Sequence, residues 1–358
     1  MSAEVLLPGL TAVLALMFSL ALLDQWRERR RGYQLIWGIG MLFFAIGAGA
    51  ETLAALGGWS EGLYRGWYLT GAVWTAGWLG LGTCFLLGRT RFGYAVALCL
   101  FLAGLFTFLA SRRLPEPAGD LPMIYFIAAG VLAAAVAIET YFQNERWPQI
   151  AALAVIGATV ASLLLMLTST LPAPGYAVDP LTGIPTADII PPALRLLTPF
   201  MNITGGLALI LGAAFSAYVF MPKRRVLGYS LDPEQPGDSF LFNLLIAPVA
   251  IVVNFVASLP QALGALVRGR LNSRVPATLL IAAGAIVASS TDTLARFGST
   301  ELFQVGKLVG VALLFGGFLV SVEVFREIRI PFTHRVLRGN RREQGNPFVA
   351  DQAAESRG

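Results

Sequence analysis

One carboxylate in this sequence lies where a charged group is costly, inside a long apolar stretch. Glu51 is about seven residues from the predicted outer end of its helix, which places it about 10 Å deep at a rise of 1.5 Å per residue. Ionisable side chains inside membrane spans are rare and costly, so each is a functional candidate. Arg65, the nearest basic residue downstream, begins the next predicted helix at the surface. The difference in depth argues against a direct pair between these two residues.

Further polar side chains are expected at the depth of Glu51, on the second, third, seventh and eighth predicted spans. The predicted polar layer consists of Glu51, Thr70, Trp74, Trp78, Asn202, Asp292 and Arg296. In a binding or transport site, Glu51 would respond to a proton or a cation, and Asp292 with Arg296 would form a gate or a pair. Trp74 and Trp78 share one helical face and would form an apolar wall. The alternative is that the layer only holds helices together, since interhelical polar contacts of about 0.6 kcal/mol are ordinary in membrane bundles.

Several kinds of site are excluded by the residues that the sequence lacks. His334 is the only histidine, and it lies in the basic C-terminal tail. Haem held by two histidines, histidine-ligated zinc and histidine acid–base catalysis are therefore excluded inside the bundle of one chain. Cys84 and Cys99 each lie within a predicted span, without a CxxC motif, so no disulfide framework is indicated. We expect no cofactor and no metal, and the residues favour a protein that is not an enzyme.

The composition predicts which elements must position these residues. Of the 358 residues, 56% are hydrophobic and only 13% are charged, whereas a soluble domain has about 25% charged residues. A chain this apolar is predicted to be an all-α, polytopic transmembrane helix bundle in a lipid bilayer. Apolar runs of about 20 residues predict nine spans. They cover 5–23, 33–57, 66–88, 93–111, 123–142, 149–170, 194–220, 276–295 and 304–325.

The basic residues predict the orientation of these spans. With the N-terminus outside, 20 of the 26 basic residues fall in inner loops or in the tail, as the positive-inside rule requires. Glu4 precedes the first apolar run and the arginine cluster follows it, which predicts an uncleaved first span. Short arginine clusters between apolar runs are a topology signal, and we expect no nucleic-acid partner. The sequence therefore predicts an outer N-terminus and a cytoplasmic C-terminus.

The segment 240–263 is apolar and long enough to span, but it conflicts with this orientation. A full crossing would move the basic cluster 268–274, and the tail with it, to the outside. Pro248 and Pro260 interrupt the segment, which favours a re-entrant or interfacial segment over a full span. Four regions result: a seven-helix bundle over 1–221, a cytoplasmic connector over 222–239, the interrupted segment and two spans over 240–325, and a basic cytoplasmic tail over 326–358.

The stretch YRGWYLTGAVWTAGWLGLGTCFLL (64–87) resembles a block in uncharacterised bacterial polytopic membrane proteins. In it an arginine and aromatic residues open a helix, and a Gly/Ala-rich run follows. The resemblance covers a small part of the chain. It implies a location in the bacterial cytoplasmic (inner) membrane and no known activity.

These observations together predict an integral membrane protein that binds or transports a small or lipid-like molecule at a polar site in the outer leaflet. A second hypothesis is a non-catalytic structural or assembly subunit of a membrane complex, with a protein partner on the basic tail. A third is a membrane enzyme that modifies lipids.

Overall fold

The described part of the chain is helical throughout its apolar regions. The computed structural model describes residues 2–113, 118–142, 145–171, 189–224, 226–227, 247–268, 271–272, 274–295, 300–320, 327–329 and 336–339. Within these residues, ten helical stretches are long and apolar enough to cross a membrane. The predicted class, a multi-pass helical membrane protein, is therefore confirmed.

Nine of the ten stretches coincide with the predicted spans and one overlaps the segment 240–263, and the following helices form them. They are α1 (Ala3–Arg29), α2 (Gly32–Gly57), α3 (Glu61–Trp67), a π-helical segment (Tyr68–Trp74), α4 (Thr75–Leu86), α5 (Gly93–Ala110), α6 (Leu121–Tyr141), α7 (Trp147–Thr168), α8 (Pro192–Phe220), α9 (Ala247–Val267), α10 (Arg274–Ala295) and α11 (Thr300–Val320). The π-helical segment joins α3 to α4, so that these three elements form the third span. Proline stands in the first turn of α6, α7 and α8, where its missing N–H costs no intrahelical bond.

Six of the described helices pack in a closed order, α1–α2–α4–α8–α10–α11, and α11 returns to α1. Each of the six contributes to one buried apolar cluster, which we call the central plug. The plug consists of Ala15, Phe18, Leu22, Met41, Ala45, Leu79, Leu209, Ala285, Val311, Leu314 and Phe318. Helices α5, α6 and α7 pack beside this group against α4 and α8. The plug fills the middle of the six-helix group with side chains from every helix.

Small residues bring α10 and α11 into close contact. A Cβ added at Gly310 would lie 2.9 Å from the Cβ of Ala288, and one at Gly306 would lie 2.8 Å from Cγ2 of Thr291. Small residues four apart allow two membrane helices to approach closely. Gly306 and Gly310 stand four residues apart in GKLVG (306–310), and both face α10.

The bundle has two ends, which we name by their residues. The Glu51 face is the end where α2 ends and where α3 and α11 begin. The arginine face is the opposite end, where α1 meets α2 at Arg29–Arg31. Helix α8 ends and α10 begins at the arginine face, where the Arg274 guanidinium lies 4.3 Å from the ring centroid of Phe220. The chain between α8 and α10 therefore leaves and returns at the same face.

Helix α9 lies within that returning stretch. It is one continuous helix that runs through Pro260, with Pro248 in its first turn, so the expected interruption at these prolines is not seen. Asn254, midway along α9, accepts the backbone N–H groups of Val226 and Leu227 at 2.8 and 2.9 Å. The middle of α9 is thus tied to residues that follow the end of α8 at the arginine face.

The tail contains a short antiparallel pair of strands, Glu327–Arg329 and Val336–Gly339. Most of the predicted connector 222–239 and most of the predicted tail 326–358 lie outside the described residues.

Candidate functional site

A buried ion pair joins α2 to α11 near the Glu51 face. The ammonium of Lys307 lies 2.7 Å from Oε1 and 2.6 Å from Oε2 of Glu51. The Glu51 side chain is 5% exposed and the Lys307 side chain 13%. Two more donors reach the same carboxylate: Trp67 Nε1 at 2.8 Å and Gln304 Nε2 at 3.1 Å. Glu51 therefore accepts from three side chains on two other helices.

The helices place these groups without distortion. Gln304 and Lys307 are three residues apart on α11, so both side chains lie on one face of that helix. Trp67 ends α3, directly before the π-helical segment. Helix α1 packs against both α2 and α11. The central plug lies between the site and the arginine face. Its residue Ala45 is about 9 Å from Glu51 along α2, at a rise of 1.5 Å per residue.

Aromatic rings surround the ion pair on the side of the Glu51 face. The Lys307 ammonium lies 4.7 Å from the ring centroid of Phe303. Phe303 is buried and packs against Trp59 and Trp67, whose own centroids are 5.5 Å apart. A cation within about 6 Å of an aromatic centroid is attracted by the ring quadrupole. The site thus combines a carboxylate with a wall of aromatic rings.

One polar atom of the site has no partner among the described residues. Gln304 is 5% exposed, and its Nε2 donates to Glu51 while its Oε1 accepts no hydrogen bond. A buried carbonyl oxygen without a donor costs about 1–3 kcal/mol. Beside its ion pair, the Glu51 site therefore contains a hydrogen-bond acceptor, Gln304 Oε1, that receives no donor from the described residues.

Two of the three partners of Glu51 differ from the predicted ones. The sequence pointed to polar residues on the third, seventh and eighth spans; Trp67 belongs to the third, whereas Lys307 and Gln304 belong to the ninth. None of these three residues was part of the predicted polar layer. The missed signal is the spacing of Gln304 and Lys307, which puts an amide and an ammonium on one face of a span.

Arg65 does not serve as the partner of Glu51, as its depth predicted. Its guanidinium pairs with Glu61 at 2.6 Å and donates to the carbonyls of Met166 and Ser169. These carbonyls end α7, so that Arg65 caps that helix and joins it to α3.

Trp74 and Trp78, two further residues of the predicted polar layer, make hydrogen bonds between helices. The Trp74 indole donates to Ser162 Oγ at 2.8 Å and the Trp78 indole to Thr159 Oγ1 at 3.1 Å, which joins the third span to α7. Thr70 Oγ1 donates to the carbonyl of Gly66, one turn earlier. Arg296 and the side chain of Asp292 lie outside the described residues, so their predicted pairing stays a prediction.

Asn202 supports the π-helical segment. Its Nδ2 donates to the carbonyl of Ala72 at 2.8 Å, across the contact between α8 and the segment. On the other side, a Cβ added at Gly47 would lie 2.8 Å from Cα of Gly71. The wide turn is therefore held between α2 and α8, and such turns are frequent at functional sites. Glu51 lies one helical turn beyond Gly47 on α2.

The stretch GWSEG (58–62) has the spacing of the hydrolase nucleophile motif but not its structural context. Ser60 is extended, with φ −109° and ψ 161°, and its Oγ accepts the N–H of Leu63 at the start of α3. The motif requires a serine on a strained turn between a strand and a helix. Here the preceding element is helix α2, and the geometry is that of a helix cap.

Comparison with known proteins adds no relative. No protein-family model matches the chain, and no curated protein and no solved structure shows significant similarity to it. The function must therefore be argued from the site itself.

Proposed function

We propose that this protein binds or transports a small or lipid-like molecule at the site around Glu51. The observation that carries the proposal is the carbonyl oxygen of Gln304, which has no partner within the described part of the chain, beside a buried ion pair. Replacing a buried ion pair with apolar residues of similar volume is often neutral or stabilising, so stability alone is a weak reason for one. A site that needs both charges and a free acceptor gives a stronger reason.

The position of the site in the bundle supports the same proposal. The ion pair lies at the edge of the six-helix group, and the apolar plug separates it from the arginine face. A molecule bound at Glu51 would reach the site from the Glu51 face or from the adjoining leaflet. Passage to the other face would require the plug to rearrange.

We place the arginine face in the cytoplasm and the Glu51 face outside, in a bacterial inner membrane. The orientation rests on the excess of basic residues in the loops and tail of the arginine face, which marks the cytoplasmic side of membrane proteins. The membrane type rests only on the resemblance of residues 64–87 to bacterial proteins.

We further propose that α9 lies at the cytoplasmic surface instead of crossing the membrane. A single crossing between α8 and α10 would place the start of α10 at the Glu51 face, yet Arg274 contacts Phe220. Asn254 and Ser258, in the middle of α9, hydrogen-bond with residues 224, 226 and 227, which follow α8. The exposed side of α9 is apolar, for example at Val252, Val256 and Leu263, and would face lipid.

Native mass spectrometry of the gently purified protein tests the binding proposal. We expect a co-purified small molecule or lipid on the unaltered protein, and its loss from Glu51→Gln with the folded fraction retained on size exclusion. Tyr125→Phe removes a hydrogen bond between α6 and α8, away from Glu51, and should keep the molecule. If a protein partner co-purifies instead, and is lost when residues 335–358 are deleted, the assembly hypothesis replaces this one.

A further inference from the structure

The contacts of Lys307 show which chemical group the site accepts. Its ammonium is the cation that now occupies the space between the Glu51 carboxylate and the Phe303 ring. We infer that the ligand of this site carries a primary ammonium group, and that the Lys307 side chain is its tethered competitor. The inference rests on the proposed binding function and names the class of ligand.

The acceptors of the site match an ammonium group in number. A primary ammonium has three N–H donors and no acceptor. The site offers the two carboxylate oxygens of Glu51 and the carbonyl oxygen of Gln304, a side chain whose amide nitrogen lies 3.1 Å from Glu51 Oε2. Lys307 engages the two carboxylate oxygens and leaves the Gln304 oxygen without a donor. On this proposal a free ammonium, which is not held by a stem from α11, donates to the Gln304 oxygen as well as to the carboxylate.

The walls of the site suit the same group. Trp59, Trp67 and Phe303 pack against one another beside the carboxylate. Aromatic faces next to a carboxylate attract organic cations, and the attraction grows when water is excluded. The Glu51 carboxylate would repel an anionic ligand. Among the described residues that contact this carboxylate, only Lys307 carries a positive charge that could pair with such a ligand.

Lys307 can leave the site without unfolding it. Its side chain is 13% exposed, and Lys307 lies only about two turns from the start of α11 at the Glu51 face. A long lysine stem can extend along apolar surface and keep its charge in water. Exchange of the two ammonium groups therefore preserves the charge of the buried site.

Two sources provide a primary ammonium at this depth: the headgroup of phosphatidylethanolamine and a free amine in the outer solution. The binding chemistry is the same, and only the attached group differs. Ethanolamine is the soluble probe for the second source. Choline has no N–H donor and is the matched control for it.

The experiment uses the full-length protein in phosphatidylcholine nanodiscs, with ethanolamine binding followed by tryptophan fluorescence. We expect Lys307→Gln to bind ethanolamine at least tenfold more tightly than the unaltered protein, because the competing ammonium is gone. Gln304→Leu should bind it at least tenfold more weakly, and Glu51→Gln should show no binding. Tyr125→Phe, which removes a hydrogen bond between α6 and α8, should bind as the unaltered protein does. Choline should bind at least tenfold more weakly than ethanolamine in every variant that binds.

The source is resolved by adding phosphatidylethanolamine to the nanodiscs. A rise in thermal midpoint that Glu51→Gln abolishes identifies the lipid headgroup, and ethanolamine binding without that rise identifies a free amine. The inference is overturned if Lys307→Gln binds ethanolamine no more tightly, or if Gln304→Leu leaves binding unchanged. If native mass spectrometry shows a Glu51-dependent ligand without a primary amine, this inference fails and the proposed function stands.

Discussion

At the scale of single residues, the buried pair of Glu51 and Lys307 is the most unusual feature of the protein. The sequence identified Glu51 as a carboxylate at a costly depth. It did not identify the partner, because the two residues are 256 positions apart and their approach depends on how α2 and α11 pack. Depth argued against Arg65 as the partner, and its guanidinium instead pairs with Glu61 and donates to carbonyls at the end of α7.

Removing the charge of Lys307 and removing the charge of Glu51 should lower the free energy of unfolding by different amounts. Lys307→Met leaves a carboxylate that is 5% exposed without its cation, and we expect a loss of about 3–5 kcal/mol in the free energy of unfolding. Glu51→Gln leaves an ammonium that can extend towards the Glu51 face, so about 1–3 kcal/mol is expected. Both losses can be measured by denaturing the proteins in mixed micelles of mild detergent and dodecyl sulfate.

The double variant Glu51→Gln/Lys307→Met serves as the control for this comparison. It contains no unpaired charge at the site and should recover part of the loss seen for Lys307→Met. The prediction is contradicted if Glu51→Gln loses more unfolding free energy than Lys307→Met.

At the scale of elements, the π-helical segment Tyr68–Trp74 was not predicted. Hydrophobic periodicity indicated one regular span there, and the structure has α3, the wide turn and α4. The wide turn depends on tertiary contacts on both sides, since Gly47 of α2 lies against Gly71 and Asn202 of α8 binds the Ala72 carbonyl. The residues of the segment alone do not specify it.

Two glycines of α2 provide a matched test of this contact. In Gly47→Ala the new Cβ would lie 2.8 Å from the backbone of Gly71, so α2 must move away, at a cost of about 1–3 kcal/mol in unfolding free energy. In Gly49→Ala the new Cβ meets nothing within 4 Å, and better helix propensity should stabilise the protein by about 0.5–1 kcal/mol.

The measurement is the same denaturation in mixed micelles, together with ligand retention by native mass spectrometry. Because Glu51 is one turn from Gly47, the Gly47→Ala variant should also weaken ligand retention. Equal stabilities for the two alanine variants would mean that the contact between α2 and the π-helical segment is not close in the membrane.

At the scale of the whole molecule, the order of helices around the central plug determines which faces the loops occupy. Six helices share the plug, and their alternating directions bring α8 and α10 to the arginine face together. The stretch between them must therefore return to the side from which it left. The end of α8 and the start of α10 at the same face are the main support for a surface position of α9.

Thiol labelling tests the position of α9. The native cysteines Cys84 and Cys99 are buried, so an impermeant thiol reagent should report only introduced cysteines. Val249→Cys and Val267→Cys, at the two ends of α9, should both label in inverted vesicles and resist labelling in right-side-out vesicles. Leu56→Cys, exposed near the end of α2, should show the opposite pattern. Labelling of Val249→Cys from the Leu56 side would mean that α9 crosses the membrane.

The sequence by itself determined the class of protein and the helices, because runs of about 20 apolar residues have few other stable structures. It also identified Glu51 as exceptional, because a carboxylate inside a long apolar run can be recognised without knowing which residues surround it. The tertiary structure decided which residues meet that carboxylate. Helix order and rotation placed Lys307 and Gln304 beside it, and directed Trp74, Trp78 and Asn202 to contacts between helices. Such choices depend on packing between segments far apart in the chain, which no local pattern in the sequence encodes.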